Sequence, residues 1–227
     1  MLRGKAVLRS RGDWLAYEPA DNCYRAMDDE RFEARVWRYV DGRLYACPDG
    51  PKRMAASRDV VGNVVAAARA QRQGPTELPA WWPRRDGDPE PGDVLPVRNG
   101  LLNTRTMELL PASRRFVSPC AAAVDYDPEA APPERWERFL AEVFEDDAET
   151  VGTLQEIMGY LLSQDTSQQK IFALVGPPRC GKGTINRVLQ ALIGRGNYCS
   201  PTAGDLAKGD FNLQSLLGKQ LATISDM

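Results

Sequence analysis

Nine residues late in the chain, Gly176, Pro177, Pro178, Arg179, Cys180, Gly181, Lys182, Gly183 and Thr184, have the types and spacing that hold a polyphosphate. Gly176 and Gly181 let a backbone turn and approach an anion without Cβ interference, and Lys182 can reach the β and γ phosphates as a point charge. A helix opened by that lysine adds unpaired N–H groups and a positive dipole end. The stretch departs from the strict pattern GxxxxGK[ST] at one position: Gly183 follows the lysine, and the hydroxyl arrives one step later at Thr184. In the strict pattern that hydroxyl holds magnesium. Shifted by one, Thr184 suits the α-phosphate better, and the metal is held more through water and an acidic residue. Asp226, at the tip of the apolar run Gln220 to Ser225, fits that second role, directly or through water. The expected nucleotide-binding set is residues 176–184, with Lys182 and Asp226 as candidate catalytic groups and Thr184 and Asp226 as candidate ligands of Mg2+.

Such a loop works between a strand and a helix. Lys170 to Val175, KIFALV, is a β-branched and apolar run of strand length directly before it. After it, Ile185, Val188, Leu189 and Leu192 repeat at helical spacing and Gly194 closes the element. Tyr198 to Thr202 and Gln220 to Ser225 read as further strands, and their alternation with helix predicts a parallel sheet. Upstream, a helix from Pro133 to Phe144 carries Trp136, Phe139, Leu140, Val143 and Phe144 as one stripe. Asp146 and Asp147 then cap a helix to about Ser163; the acidic cluster EDDAE there is a helix start rather than a metal site.

Nearer the N-terminus, WLAY and CYRAM are short extended pieces around a polar turn at Pro19 to Asn22. Helices are expected from about Glu30 to Asp41, capped by Asp28 or Asp29, and from Arg58 to Gln71 with Val60, Val61, Val64, Val65 and Ala68 on one face. Residues 74–96 form a proline-rich connector under which Trp81 and Trp82 pack. VLPVRNGLLN and TMELLPA then read as two strands, with Asn99-Gly100 as the tight turn.

The composition bounds the setting. The chain has 227 residues, 43% hydrophobic and 26% charged, which is globular. No run approaches a membrane span, and the basic N-terminus lacks the apolar stretch of a secretory signal. Five scattered cysteines without a CxxC pair indicate reduced thiols and a cytoplasmic setting rather than disulfides or a zinc knuckle. A net charge of -2 excludes wholesale coating by nucleic acid, though not a confined basic channel. The absence of histidine leaves carboxylates, lysine or a bound metal to do any chemistry.

The run from NGLLNTRTMELLP through YDPEA and FLAEVFEDDAETVGTLQEIMGYLLSQDTSQQKIFALVGPPRCGKGTINRVLQALIG to FNLQSLLGKQLATISD resembles the phage/plasmid primase-helicase family, with a poxvirus-type N-terminal region and a superfamily 3 helicase motor. The resemblance covers most of residues 98–226, and GDWLAY and VWRYVDG are compatible with the region ahead of the motor. It implies an α/β fold: a mixed, mainly helical N-terminal region followed by a P-loop NTPase (AAA+-like) parallel sheet. It implies a DNA-stimulated ATPase using ATP and Mg2+, working on DNA as a ring-shaped homo-oligomer, a hexamer, with no membrane role. Residues 176–184 match its Walker A loop and Asp226 its Walker B strand. Residues 1–97 are then an α+β region including the connector, 98–165 a helical domain preceding the motor, and 166–227 the motor itself, incomplete because Met227 follows Asp226. The expectation is a truncated product, poor at hydrolysis and unable to unwind DNA alone. Residues 1–97 show no acidic primase pattern.

Two other readings stay open. GPPxxGKGT also begins adenylate kinases, and AGDLAK at Ala203 to Lys208 imitates their downstream TGD segment. ADP formation that requires AMP favours that phosphotransferase. A non-enzymatic DNA-docking or assembly module is the third, favoured if DNA binding survives Lys182→Ala.

Overall fold

The computed structural model of the chain describes residues 6–163, 165, 169–207, 214–216 and 218–224. In chain order its elements are β1 (Val7–Ser10), β2 (Asp13–Glu18), β3 (Cys23–Met27), α1 (Asp29–Val40), β4 (Leu44–Tyr45), β5 (Lys52–Arg53), α2 (Arg58–Gln71), β6 (Ala80–Trp81), β7 (Val94–Val97), β8 (Gly100–Asn103), β9 (Glu108–Leu110) and β10 (Phe116–Val117). Then follow α3 (Glu134–Phe144), α4 (Ala148–Leu162), α5 (Lys182–Ile193), β11 (Tyr198–Cys199), α6 (Ala203–Ala207) and β12 (Leu221–Ala222). They form two compact units, residues 1–91 with 113–119, and residues 92–112 with 120–227.

In the first unit β1, β2 and β3 make an antiparallel sheet with β2 central. The alternation of β2 sends its side chains to opposite faces. Trp14 and Ala16 join Met27, Phe32, Val36, Val40, Val61 and Val65 in one core, while Leu15 and Tyr17 join Leu8, Tyr24 and Val117 in another. Helix α1 starts where Asp28 accepts a hydrogen bond from the Arg31 N–H at 2.6 Å, and Phe32, Val36 and Val40 bury one stripe of it. Helix α2 has the expected bounds, but Val64 faces solvent; Val61 and Val65 alone are buried.

The connector is held by an ion pair to Arg115 and by a short sheet. β6 pairs antiparallel with β10, which buries Trp81 against Phe116 edge-on at 4.8 Å, while Trp82 stays exposed. Both Arg115 Nη atoms donate to the two Asp88 oxygens at 2.8 Å, and the same guanidinium lies 5.1 Å over the Trp81 ring. The hydrogen bond from Arg115, then the one from the Arg85 N–H, holds the Asp88 carboxyl down at about 2 from its ordinary 3.8. A depressed carboxylate stabilises the fold above its unfolded pKa, and that contribution is lost as pH falls through the folded one. Asp88→Asn is therefore expected to lower the urea midpoint by a constant amount above about pH 5. The gap to the parent should close between about pH 4 and pH 2; urea titrations across that range check it, and a gap unchanged at low pH would refute the assignment.

The second unit holds a meander, β7-β8-β9, and a helical layer. The β7–β8 turn is Arg98-Asn99: Gly100 already pairs with Val97, so VLPV and GLLN are two strands and the expected turn is displaced by one residue. Helix α4 starts on Asp147, whose carboxylate accepts from the Glu149 and Thr150 N–H groups; Glu145 and Asp146, in left-handed backbone, make the turn before it. Leu140, Leu154, Ile185 and Leu189 pack α3, α4 and α5 together. Buried Asn197 fastens the end of α5 by donating to Ile193 O at 2.8 Å and Ala121 O at 3.1 Å.

Of the expected parallel sheet, the two downstream strands are present and pair in parallel, β11 with β12. Among the described residues the sheets are small and antiparallel, apart from one parallel pair of two-residue strands, β11 with β12. Lys170 to Val175 is not a strand, and Ile171 and Val175 are 96% and 93% exposed. An apolar β-branched run becomes a strand only where neighbours take its N–H and C=O groups. No described segment does. Thr202, expected at the end of a strand, instead caps α6: its hydroxyl accepts from the Asp205 N–H while the Asp205 carboxylate accepts from the Thr202 N–H.

Candidate nucleotide loop

Helix α5 begins at Lys182, and Gly181 before it has φ 92°. A side chain at that φ is strained, and a Cβ on Gly181 would also lie 2.9 Å from Phe139 Cζ and from Val143 Cγ2. A Cβ on Gly176 would stand 2.7 Å from Cys180 Sγ, so that side chain would have to turn aside. Arg179, with φ 67°, supplies a second left-handed step in the turn. Gly181→Ala is expected to destabilise the second unit by about 1–3 kcal/mol, since the φ strain and the α3 contact act together. Thermal unfolding measures this, and a loss below about 0.5 kcal/mol would show that the loop relaxes around the methyl group.

The Lys182 side chain folds back over its own loop. Its ammonium donates to Gly176 O at 2.8 Å and Pro177 O at 2.9 Å and lies 3.4 Å from Cys180 Sγ. At the start of α5 the Thr184 and Ile185 N–H groups turn back to Gly181 O, while the Lys182 and Gly183 N–H groups stand at the positive end of the helix with no intrahelical acceptor. Thr184 Oγ1 accepts from Arg187 Nη2 at 2.9 Å. A metal ion on that oxygen would share it with a guanidinium, so a divalent cation fits Thr184 only when Arg187 swings away. Asp226 lies outside the described residues. The donors gathered at the loop are one ammonium, now spent on the Gly176 and Pro177 carbonyls, two helix-start N–H groups and the nearby Arg179 and Arg187, and a polyphosphate would have to draw the ammonium off those carbonyls.

A pocket of about 600 Å³ adjoins the loop, lined by Arg179, Cys180, Gly181, Gly183, Thr184 and Arg187 on one side and Phe139, Glu142 and Val143 of α3 on the other. The sequence reading did not find this α3 wall. Phe139 and Val143 register there only as part of an apolar stripe, and Glu142 and Arg187 carry no pattern at all. Among the described residues no group of three or more acidic or cysteine side chains could hold a metal ion. None of their helices is long and apolar enough to cross a membrane.

Two α+β units, one of them containing a glycine-rich loop that opens a helix, define the chain as a mixed α/β protein with a candidate anion-binding loop. A family model described as "D5 N terminal like" matches residues 29–145, just over half of the chain, and the chain belongs to that family. The domain occurs in primase-helicase proteins of phage and viral type, a setting in DNA replication. No curated protein matches the chain.

Proposed function

We propose that the chain is the ATP-binding part of a replicative DNA helicase of the phage/plasmid primase-helicase type, coupling ATP hydrolysis to DNA unwinding in a longer protein. The observation that carries this reading is the Lys182 ammonium gathered onto the loop carbonyls at the mouth of α5, in a chain that belongs to the D5 N-terminal-like family. In this reading residues 98–165 precede the motor and residues 166–227 contribute its nucleotide loop. The bound triphosphate supplies the phosphoanhydride bond whose hydrolysis drives the motor. Gly176 and Gly181 keep the loop open to the anion, the helix start and Lys182 neutralise its charge, and Thr184 contacts the α-phosphate. Asp226 and Thr184 are the proposed Mg2+ groups, the latter once Arg187 releases its hydroxyl. DNA is the partner, and a hexameric ring of copies is the proposed assembly.

Isothermal titration with ATP in the presence of Mg2+ tests the nucleotide step, and saturable binding to one site per chain is expected. Absence of heat with both ATP and ADP would end the motor reading and leave only docking or assembly. An adenylate kinase-like activity predicts instead that AMP and ATP together yield ADP.

A further inference from the structure

We infer that the β4–β5 hairpin of the first unit is a contact arm for single-stranded DNA, in which Tyr45 stacks on a base while Arg43, Lys52 and Arg53 hold the phosphates. The inference rests on the reading of DNA as the partner and names the surface that meets it. A hairpin of two-residue strands is marginal by itself, and the strands of this one bury none of their side chains: Leu44 is 65% exposed, Tyr45 43%, and Lys52 and Arg53 are exposed as well. The hairpin is anchored at its base, where Met54 packs against the core around Trp14 and Phe32 and its N–H donates to Arg43 O at 2.6 Å.

Exposed apolar side chains alone would say little. Here they share the hairpin with cations: the register sets Leu44 opposite Arg53 and Tyr45 opposite Lys52, and directly opposed residues lie on one face. The whole chain carries a net charge of -2, yet residues 38–58 hold five basic side chains against two acidic ones. Among the described residues no carboxylate pairs with Arg43 or Arg53. Arg43 Nε donates to Tyr39 O at 3.1 Å with the guanidinium 4.1 Å from the Tyr39 ring centre, which fixes its place and leaves its charge unneutralised. Lys52 meets Asp49 at 3.3 Å, an exposed and therefore weak pair that a phosphate can replace. Cations beside an exposed aromatic ring suit a single strand, whose phosphates attract the charge and whose unpaired bases offer faces for stacking. A membrane surface calls for a longer apolar face than Leu44 and Tyr45 provide.

The test is fluorescence anisotropy of a labelled oligothymidylate with the whole chain over a range of salt concentrations, beside a duplex of the same length and vesicles containing an anionic lipid. The single strand should bind more tightly than the duplex, which hides its base faces. Tyr45→Ala should weaken binding about tenfold, while Tyr45→Phe, which keeps the ring, should stay within about twofold of the parent. Arg53→Gln and Lys52→Gln should each flatten the slope of log affinity against log salt by about 0.7, and Lys52→Arg should leave it unchanged. The variants that keep ring or charge separate a lost contact from lost folding. Single-strand binding that survives Tyr45→Ala and both glutamine substitutions would overturn the hairpin assignment and leave DNA as the partner. A duplex bound as tightly as the single strand, or vesicles bound through Tyr45 in place of the oligonucleotide, would also overturn it. If neither nucleic acid binds, the arm and the DNA partner fall together, whereas the ATP titration judges the nucleotide loop separately.

Discussion

Lys182→Ala should raise the dissociation constant for the magnesium nucleotide by about 100-fold, while leaving the unfolding midpoint nearly unchanged. The size follows from two charge-assisted contacts to phosphate oxygens at about 1.5 kcal/mol each, or roughly 3 kcal/mol together. Stability should hardly move, because the groups released are the loop carbonyls of Gly176 and Pro177, in an exposed stretch where water can replace the ammonium. Calorimetry beside thermal melts separates the two effects. A variant that binds nucleotide as well as the parent would show that Lys182 braces its own loop and does no more. A variant that melts early would show the reverse of the expected split, with the lysine needed for folding.

The second large effect lies in the first unit. Trp14→Ala should cost about 3–5 kcal/mol of stability, a large share of the 5–15 kcal/mol that holds an ordinary domain together. Trp14 is 1% exposed and stacks on Phe32 with ring centroids 3.7 Å apart, so its removal empties the junction of β2 and α1. Its indole N–H also donates to Asp29 Oδ1 at 2.8 Å, which ties the sheet to the first turn of α1. That bond, and then the one from Arg69, draws the Asp29 carboxyl below its usual range. Trp14→Phe keeps most of the apolar contact and drops only the N–H, so its loss should be clearly smaller. Urea denaturation followed by circular dichroism measures both, and equal losses would mean that the hydrogen bond, rather than the buried ring, carries the effect.

Helices were more legible than strands, for a physical reason. A helix satisfies its interior backbone locally, so Asp28 and Asp147 as caps and the spacing of Phe32, Val36 and Tyr39 announce α1 and α4 from neighbouring residues alone, although Val40 rather than Tyr39 completes the buried stripe. A strand is completed by residues far away. Nothing within KIFALV tells whether a neighbour will pair with it, and nothing in AW and FV announces that Ala80–Trp81 and Phe116–Val117 will meet. The same holds at the site. The glycine spacing and Lys182 are local chemistry and visible in sequence, whereas the Phe139, Glu142 and Val143 wall exists only because α3 packs against Gly181. Arg187 escaped notice because a single arginine on a helix has no signature until its guanidinium is found on Thr184 Oγ1.

The first unit consists of residues 1–91 and 113–119, and the stretch 92–112 between them belongs to the second. The two units are therefore sewn together by the backbone itself, and no single break in the chain separates one cleanly from the other. A gene rearrangement that joins at one point would carry away parts of both. The matched stretch, residues 29–145, contains every place where the chain passes from one unit to the other.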